Sequence, residues 1–236
     1  MRVLGIETAT PVCGVALVDG TKLLGEYSVN AGRTHSQRLM PMVSALLAEA
    51  GLTRDGLDGV AVSRGPGSYT GLRIGLTTGK TLAFALGKPI AGVPTLEALA
   101  HNLSGTGALV CPVLDAKRGE VYTGLYRTDG RRPETVEPPR AVDLRAWLER
   151  LSDAEGEFIF CGDGADTHWK LILEALGSRA GLAPLHSRLP RAASVAELGR
   201  SRIETGGSED IFGLNPLYLR RSEAEILWEK RHGGER

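Results

Sequence analysis

The chain has 236 residues, of which 42% are hydrophobic and 24% are charged, and its formal net charge is zero. This balance is typical of a folded globular protein and argues against disorder. It also argues against a broad nucleic-acid-binding face, because such a face needs clustered Lys and Arg.

Cysteine use and hydropathy favour a cytoplasmic protein. The three cysteines are far apart and lack CxxC spacing, so we expect reduced, buried thiols. No apolar run approaches the roughly 20 residues that span a bilayer, and the first residues lack the apolar segment of a signal peptide. We therefore expect no membrane contact. The cysteines are Cys13, Cys111 and Cys161.

The first half of the chain predicts strands and helices in alternation. Three short strands, RVLGIET, VCGVALVDG and TKLLGEYSV, are joined by tight turns. A helix follows, with Thr34 as its cap and Gly51 as its stop. The strand GVAVSRGPG then leads into a second helix, YTGLRIGLTTGKTLAFALG, and the strand KPIAGVPT into a short helix, LEALAHNL.

The second half partly repeats this pattern. The strand ALVCPVLDA ends in an acid, Asp115, and EVYTGLYRT returns after a tight turn, much as the first strand ends at Glu7. This repeat predicts an α/β fold of two related halves, with a cleft between the two acidic turns. We expect a loop at DGRRPETVEPPR, and then a helix at LRAWLERL, a strand at EFIFCGDG, helices at DTHWKLILEAL and ASVAELGRSRIE, and an extended tail.

The loop SRGPGSYTGLRIG, residues 63–75, is rich in glycine and precedes a helix. Backbone N–H groups and the helix dipole make such a loop a competent anion site. It is neither a Walker loop, since no GK[ST] follows the glycines, nor GxGxxG. A tight turn that binds nothing is the alternative, and the chemistry alone favours that turn.

The helix after this loop carries small residues at every fourth position, which places them on one ridge. Each glycine within a helix costs about 0.5–1 kcal/mol relative to alanine, so the ridge indicates a very close packing partner. That partner is either the protein's own sheet or helix, or a second chain. The ridge consists of Gly71, Gly75, Gly79, Ala83 and Gly87.

The preceding helix has an unusually wide apolar face. Its apolar residues cover roughly 160°, whereas packing on one sheet needs about 100°. The excess, which includes Met40 and Met42, predicts a second buried side. The two helices, residues 34–50 and 70–86, therefore predict a protein–protein interface, with deep burial within one chain as the alternative. The candidate partner-binding residues are Met40, Val43, Leu47, Gly71, Gly75, Gly79 and Ala83.

Six segments, in this order, resemble the bacterial TsaB (YeaZ) family over nearly the whole chain: LGIETAT, THSQRLMPMV, AVSRGPGSYTGLRIG, GVPTLEALA, LDAKRGEVY and PLYLR. The resemblance implies a duplicated RNase H-like fold, as in sugar kinases, Hsp70 and actin. We expect one subdomain over 1–102, a second over 103–212, and a C-terminal segment, 213–236, that packs back on the first.

The family implies a non-catalytic scaffold or dimerisation subunit. Its paralogue TsaD would perform the chemistry that forms N6-threonylcarbamoyladenosine at position 37 of tRNAs reading ANN codons. TsaE would join through the TsaB–TsaD complex, while TsaC supplies the threonylcarbamoyl-adenylate. The small-residue ridge also allows a homodimer through the same surface, which would compete with TsaD, and we expect any tRNA contact only in the assembled complex.

The residues agree with a chain that has no catalytic or metal site. TsaD proteins carry an H-x-E-G-H metal segment, and here Thr95 and Leu99 fill the two histidine positions. The histidines show no metal-binding spacing, and no Ser/His/Asp arrangement can be read from the chain. We expect His35 to pack or cap at the start of a helix. The other histidines are His101, His168, His186 and His232.

A stand-alone enzyme, either a kinase-like ATPase or a peptidase, is the second hypothesis. The cleft motivates it, with Glu7, Thr8 and Asp115 as candidate nucleotide-binding residues. Related kinases have aspartate at the position of Glu7, and TATPVC lacks the glycine that lets backbone amides approach phosphate. We therefore expect the isolated chain to bind no cofactor tightly, with ATP or ADP held at the TsaD interface.

Direct tRNA contact is the third hypothesis. A few exposed charges usually form a solvated face, so the basic groupings in the chain favour it little. They are Arg131, Arg132 and Arg140, and in the tail Arg220, Arg221, Lys230 and Arg231.

Overall fold

A computed structural model describes residues 1–30, 34–130 and 132–220. In these ranges the chain forms two five-stranded sheets and eight α-helices. The strands are β1 Arg2–Glu7, β2 Val12–Asp19, β3 Lys22–Asn30, β4 Gly59–Gly65, β5 Ile90–Pro94, β6 Leu109–Asp115, β7 Glu120–Arg127, β8 Glu134–Asp143, β9 Phe158–Cys161 and β10 Ala180–Leu182. The helices are α1 His35–Glu49, α2 Tyr69–Leu86, α3 Thr95–His101, α4 Leu144–Ser152, α5 Asp163–Thr167, α6 Trp169–Leu176, α7 Leu185–Arg188 and α8 Ala192–Glu204.

The two sheets have the same topology. The strand order is β3-β2-β1-β4-β5 in one and β8-β7-β6-β9-β10 in the other. In each sheet the first three strands of the half form an antiparallel meander, and the last two lie parallel to the first. The predicted duplicated RNase H-like α/β fold is therefore confirmed. The equivalent strands β1 and β6 both end in an acid, Glu7 and Asp115.

Helices cover both faces of the first sheet. Leu4 and Ile6 of β1 belong to the core under α1 and α2, whereas Val3, on the other face, packs with α8. This alternation follows from the two-residue period of a strand. In the described ranges, no helix has the length and apolar character needed to cross a membrane.

Helix α8 packs on the first sheet, although it lies in the range 103–212 expected to form the second subdomain. Gly5 permits this packing, since a Cβ at that position would lie only 2.8 Å from the Cβ of Ala196. Beyond α8, Leu214 is buried in the core under α1 and α2. The start of the expected C-terminal segment thus packs on the first half, and its residues 221–236 lie outside the described ranges.

Several element boundaries differ from the sequence prediction. Strand β8 occupies most of the segment expected to be a loop, because an edge strand tolerates Pro138 and Pro139, which cannot donate to a ladder. The helix expected at DTHWKLILEAL is divided at His168 into α5 and α6. Strand β10 and helix α7 were not expected.

The two long helices of the first half begin differently. Thr34 occupies the N-cap position of α1 as predicted, but its side chain makes no capping hydrogen bond. In α2 the Oγ of Ser68 accepts a hydrogen bond from the N–H of Gly71 at 3.2 Å. Gly51 follows α1 with φ of 65° and Gly87 caps α2 with φ of 62°, left-handed values that favour glycine at a helix end.

Candidate functional site

A cleft of about 410 Å³ lies where the two halves face each other. The β1–β2 turn and the start of α2 form one wall, and the β6–β7 turn forms the other. The end of the described chain closes one side with Tyr218 and Arg220. The remaining lining residues are Ala9, Thr10, Pro11, His35, Gly67, Ser68, Tyr69, Leu114, Asp115, Ala116, Lys117, Tyr122 and Asp163.

Glu7 lies behind this wall and is fully buried. Its Oε1 accepts a hydrogen bond from the N–H of Ala9 at 2.6 Å, whereas Oε2 has no partner among the described residues. Burial raises the pKa of Glu7 from 4.5 to about 7, against the smaller lowering by its hydrogen bonds. Glu7 therefore bonds within its own turn and does not line the cleft.

Thr8, the second candidate nucleotide-binding residue, is also fully buried. Its hydroxyl donates to the carbonyl of Gly71 at 2.9 Å, and its N–H donates to the Oγ of Ser63 at 3.4 Å. These bonds join β1, β4 and α2. Thr8 therefore holds the base of the cleft together and contributes no group to its lining.

Asp115 does line the cleft, next to Asp163 and Lys117. Its carboxylate accepts from the backbone N–H of Lys117 at 2.8 Å and from the Lys117 ammonium at 2.9 Å. Partial burial raises the pKa of Asp115, but these bonds outweigh it and hold the pKa below its ordinary value. For Asp163, burial and then the Asp115 charge raise the pKa against two backbone hydrogen bonds. The structure thus brings two carboxyl groups and one ammonium to the same wall.

His35 occupies the opposite wall at the first turn of α1. Its Nε2 lies 2.9 Å from the carbonyl oxygen of Thr10, and because a carbonyl only accepts, Nε2 must donate. Nδ1 is buried and has no partner within the described residues. His35 therefore fastens the β1–β2 turn to α1, which agrees with its expected packing role.

The glycine ridge packs against the protein's own sheet. A Cβ at Gly71 or Gly75 would overlap Thr8, and a Cβ at Gly79 would touch Val62 at 3.5 Å. All three glycines, and Ala83 beside them, are buried. Of the two alternatives for the ridge, packing within the chain is what the structure shows.

The candidate partner-binding residues of α1 show the same result. Val43 and Leu47 are buried in the core, and Met40 packs against it. The apolar face of α1 is wide because the helix contacts β2, β3 and α2 at once. Most of these side chains therefore contact their own chain, while binding of a second chain at these residues remains a prediction.

The sequence predicted that the tail packs back on the first half, but not that it also contacts the second half. We call residues 209–220 the strap. It begins with Glu209, whose N–H donates to the carbonyl of Ile90 at 2.9 Å. Farther along, Tyr218 stacks on Tyr69 with ring centroids 5.1 Å apart. Arg220 then donates to the carbonyl of Ala116 at 3.1 Å, so the strap joins the two halves. The only sequence signal for it was the short PLYLR motif.

The remaining predictions concern metals, thiols and basic groups. Thr95 and Leu99 are buried in α3, and within the described ranges no group of three or more His, Cys, Asp or Glu could hold a metal ion. The three cysteines are free and buried. Arg140 pairs with Glu137 at 2.8 Å, and Arg220 lies 3.2 Å from Glu120. Arg131, Arg221, Lys230, Arg231 and His232 lie outside the described residues.

Comparison with known proteins gives agreement over the whole chain. The family model described as TsaD, tRNA N6-adenosine threonylcarbamoyltransferase, matches residues 28–228. The tRNA threonylcarbamoyladenosine biosynthesis protein TsaB of Bacillus subtilis is 38% identical over 97% of this chain and 98% of its own length. The Escherichia coli protein of the same name is 31% identical over the full length of both chains.

The chain belongs to the TsaB family.

A solved structure extends this likeness to the fold. It is titled an uncharacterized protein with similarity to peptidase YEAZ from Pseudomonas aeruginosa, and it is 29% identical to this TsaB-family chain. The match has a TM-score of 0.78 and covers 93% of this chain and 99% of the other. The arrangement of two facing sheets is therefore shared within the family.

Proposed function

We propose that this chain is a non-catalytic scaffold subunit that a TsaD partner requires to form N6-threonylcarbamoyladenosine in tRNA. The support is its full-length likeness to proteins named for threonylcarbamoyladenosine biosynthesis. The match of residues 28–228 to the TsaD family model further supports a paralogous relation to the enzyme itself.

The non-catalytic part of the proposal rests on the surroundings of three polar residues in or behind the cleft. Glu7 and Thr8 are fully buried and bonded within the chain, and Asp115 is neutralised by Lys117. A catalytic acid or phosphate ligand must present its charge to the substrate. Glu7 and Thr8 present no group to the cleft, and the charge of Asp115 is paired with Lys117, which favours a cleft that serves structure.

The exposed faces of α1 and α2 provide a surface for the partner. Both helices lie on the same side of the first sheet and contact each other. Their outward residues include seven that are small and uncharged, next to the larger Phe84 and the charged Arg73 and Glu49, and the small ones suit the close approach of another helix pair. This two-helix surface consists of Pro41, Ser44, Ala45 and Ala48 of α1 and Thr77, Thr81 and Ala85 of α2.

Light scattering after size exclusion tests the proposal, with the protein alone and mixed with its cognate TsaD, with and without ATP. We expect a heterocomplex that Ala45→Arg or Thr81→Arg weakens at least tenfold, since a guanidinium cannot enter a small-residue contact without cost. Ala175→Arg, at an exposed position of α6, is the matched control and should bind normally. Separate elution of the two wild-type proteins at micromolar concentration would overturn the proposal.

The remaining parts of the proposed assembly rest on the same likeness to proteins of threonylcarbamoyladenosine biosynthesis. TsaE joins through the TsaB–TsaD complex, tRNA contacts only the assembled complex, and the reaction takes place in the cytoplasm. ATP or ADP is held at the interface with TsaD, and a homodimer through the two-helix surface competes with TsaD. Calorimetry that found tight Mg²⁺–ATP binding by the isolated chain, lost in Asp115→Ala, would instead favour the kinase-like enzyme.

A further inference from the structure

A second and larger concavity, the α8 groove, has a volume of about 960 Å³ and shares no lining residue with the cleft. It lies between the β2–β3 hairpin, the end of α3 and the outer side of α8. Three of its lining residues carry groups that occur together in nucleophilic catalysis: a hydroxyl, an imidazole and a carboxylate. They are Ser104, His101 and Glu197.

The three side chains form one continuous hydrogen-bonded chain. The Oγ of Ser104 lies 2.9 Å from Nδ1 of His101, and the His101 Nε2 lies 3.2 Å from Oε2 of Glu197. The imidazole is held between them with only 7% of its side chain exposed. Ser104 follows α3 by three residues, whereas Glu197 comes from α8, so the arrangement exists only after the chain has folded.

The carboxylate determines which way the hydrogen bonds run. An ionised Glu197 can only accept, so Nε2 of a neutral imidazole carries the ring proton. Nδ1 is then the lone-pair nitrogen, and the Ser104 hydroxyl must donate to it. The roles match the arrangement in which a base activates a nucleophile and a third group orients the base, with the two ring nitrogens exchanged relative to the Ser-His-Asp triad.

We propose that Ser104 is a nucleophile toward small acyl esters that enter the α8 groove. Its Oγ attacks the carbonyl carbon as the hydroxyl proton passes to Nδ1 of His101. The bond between the carbonyl carbon and the leaving alkoxide then breaks, and the alkoxide takes the proton from Nδ1. A water molecule hydrolyses the acyl-serine by the same route, which regenerates the hydroxyl and releases the acid.

The charges that line the groove indicate the class of substrate. Lys22 and Arg132 line it together with Arg191, whose guanidinium binds Glu26. Arg200 also lines the groove but pairs with Glu204, while Asp129 and Glu197 add two carboxylates, so the lining charges nearly balance and favour an uncharged acyl group such as acetyl. The site lies on α3 and α8, away from the two-helix surface on α1 and α2. Ester hydrolysis there is an activity separate from the non-catalytic part of the chain in threonylcarbamoyladenosine formation, so either proposal can be disproved without the other.

Labelling with a fluorophosphonate probe tests the nucleophile, with intact-mass and peptide mass spectrometry as the readout. We expect one probe per wild-type chain, located on Ser104, and none in Ser104→Ala. Ser194→Ala is the matched control, because Ser194 lines the same groove but donates to Asn102 at 2.6 Å and not to a histidine. An unlabelled Ser104 in the wild-type protein would overturn the proposal.

His101→Gln should slow labelling at least tenfold, because the hydroxyl loses its base. p-Nitrophenyl acetate hydrolysis should fall in parallel. Circular dichroism verifies that each variant is folded. Equal labelling of Ser104 in folded His101→Gln and in the wild type would overturn the role of the base.

Glu197 is a positioning residue in this scheme, and 61% of its side chain is exposed, so its variants should fold. Nitrogen-15 NMR of the His101 imidazole should show the Nε2–H tautomer in the wild type and a mixture of both tautomers in Glu197→Ala. Glu197→Asp should restore the Nε2–H tautomer. Labelling should slow about tenfold in Glu197→Ala. A tautomer and a labelling rate that both stay unchanged in Glu197→Ala would remove Glu197 from the proposal.

Discussion

The acids that end β1 and β6 occupy equivalent positions in the two halves but have opposite surroundings. Glu7 is fully buried and its pKa is raised to about 7, whereas Asp115 is partly exposed, pairs with Lys117 and has a lowered pKa. The element after the fourth strand of each half also differs. In the first half it is the 18-residue α2, and in the second it is the 5-residue α5. A duplicated topology therefore repeats the position of a residue, while burial and the local partners decide its chemistry.

The largest effect on stability should come from a substitution that separates α2 from the β1–β2 turn. Gly75→Leu should lower the free energy of unfolding by about 3 kcal/mol or more, because its side chain would overlap the Thr8 hydroxyl. Urea denaturation followed by circular dichroism measures this loss. Thr77→Leu, at an exposed position of the same helix, is the control and should change stability by about 0.5 kcal/mol or less.

An intermediate effect is expected from Glu7→Gln, and it depends on pH. The folded state binds the Glu7 proton more tightly than the unfolded state does, so the stability from this group is complete below pH 4.5 and is lost as pH rises to about 7. The whole loss is roughly 3 kcal/mol at about 1.4 kcal/mol per pH unit. Glu7→Gln should remove this trend and leave the protein more stable than the wild type at pH 8. Parallel stability curves for the two proteins from pH 4.5 to 8 would contradict the prediction.

The smallest effect is expected from the equivalent acid of the second half. The pKa of Asp115 lies below its ordinary 3.8, so the stability from this group is present above pH 3.8 and is lost as pH falls through the folded value. Asp115→Asn should lower stability at pH 7 by well under 1 kcal/mol, since the Lys117 partner is largely exposed. A loss as large as that of Gly75→Leu would mean that the second turn is as tightly covered as the first.

Local pattern was sufficient to predict most of the fold. The strands β1, β2, β6 and β7 follow from apolar runs bounded by tight turns, and the repeated acid at their ends predicted the duplication that the topology confirms. Strand β8 was missed because its two prolines are typical of a loop, whereas the sheet edge tolerates them. Local pattern says nothing about which strand a segment pairs with.

The glycine ridge and the residues of the α8 groove show more clearly what local sequence pattern does not predict. A glycine ridge predicts a close neighbour but carries no information on which chain provides it, and here the neighbour is Thr8. Ser104 and His101 are near each other in sequence, but Glu197 is brought to them by the return of α8 to the first half. Contacts between distant segments of this kind depend on tertiary packing, which periodicity does not encode.

The return of α8 and the strap to the first sheet affects the order in which the protein can be completed during synthesis. Residues 1–94 supply all five strands of that sheet, yet α8 covers one of its faces and Leu214 fills part of the core on the other. A nascent chain therefore carries a half-covered first sheet while the ribosome makes the entire second half. The earliest part of the protein to be synthesised is among the last to be finished.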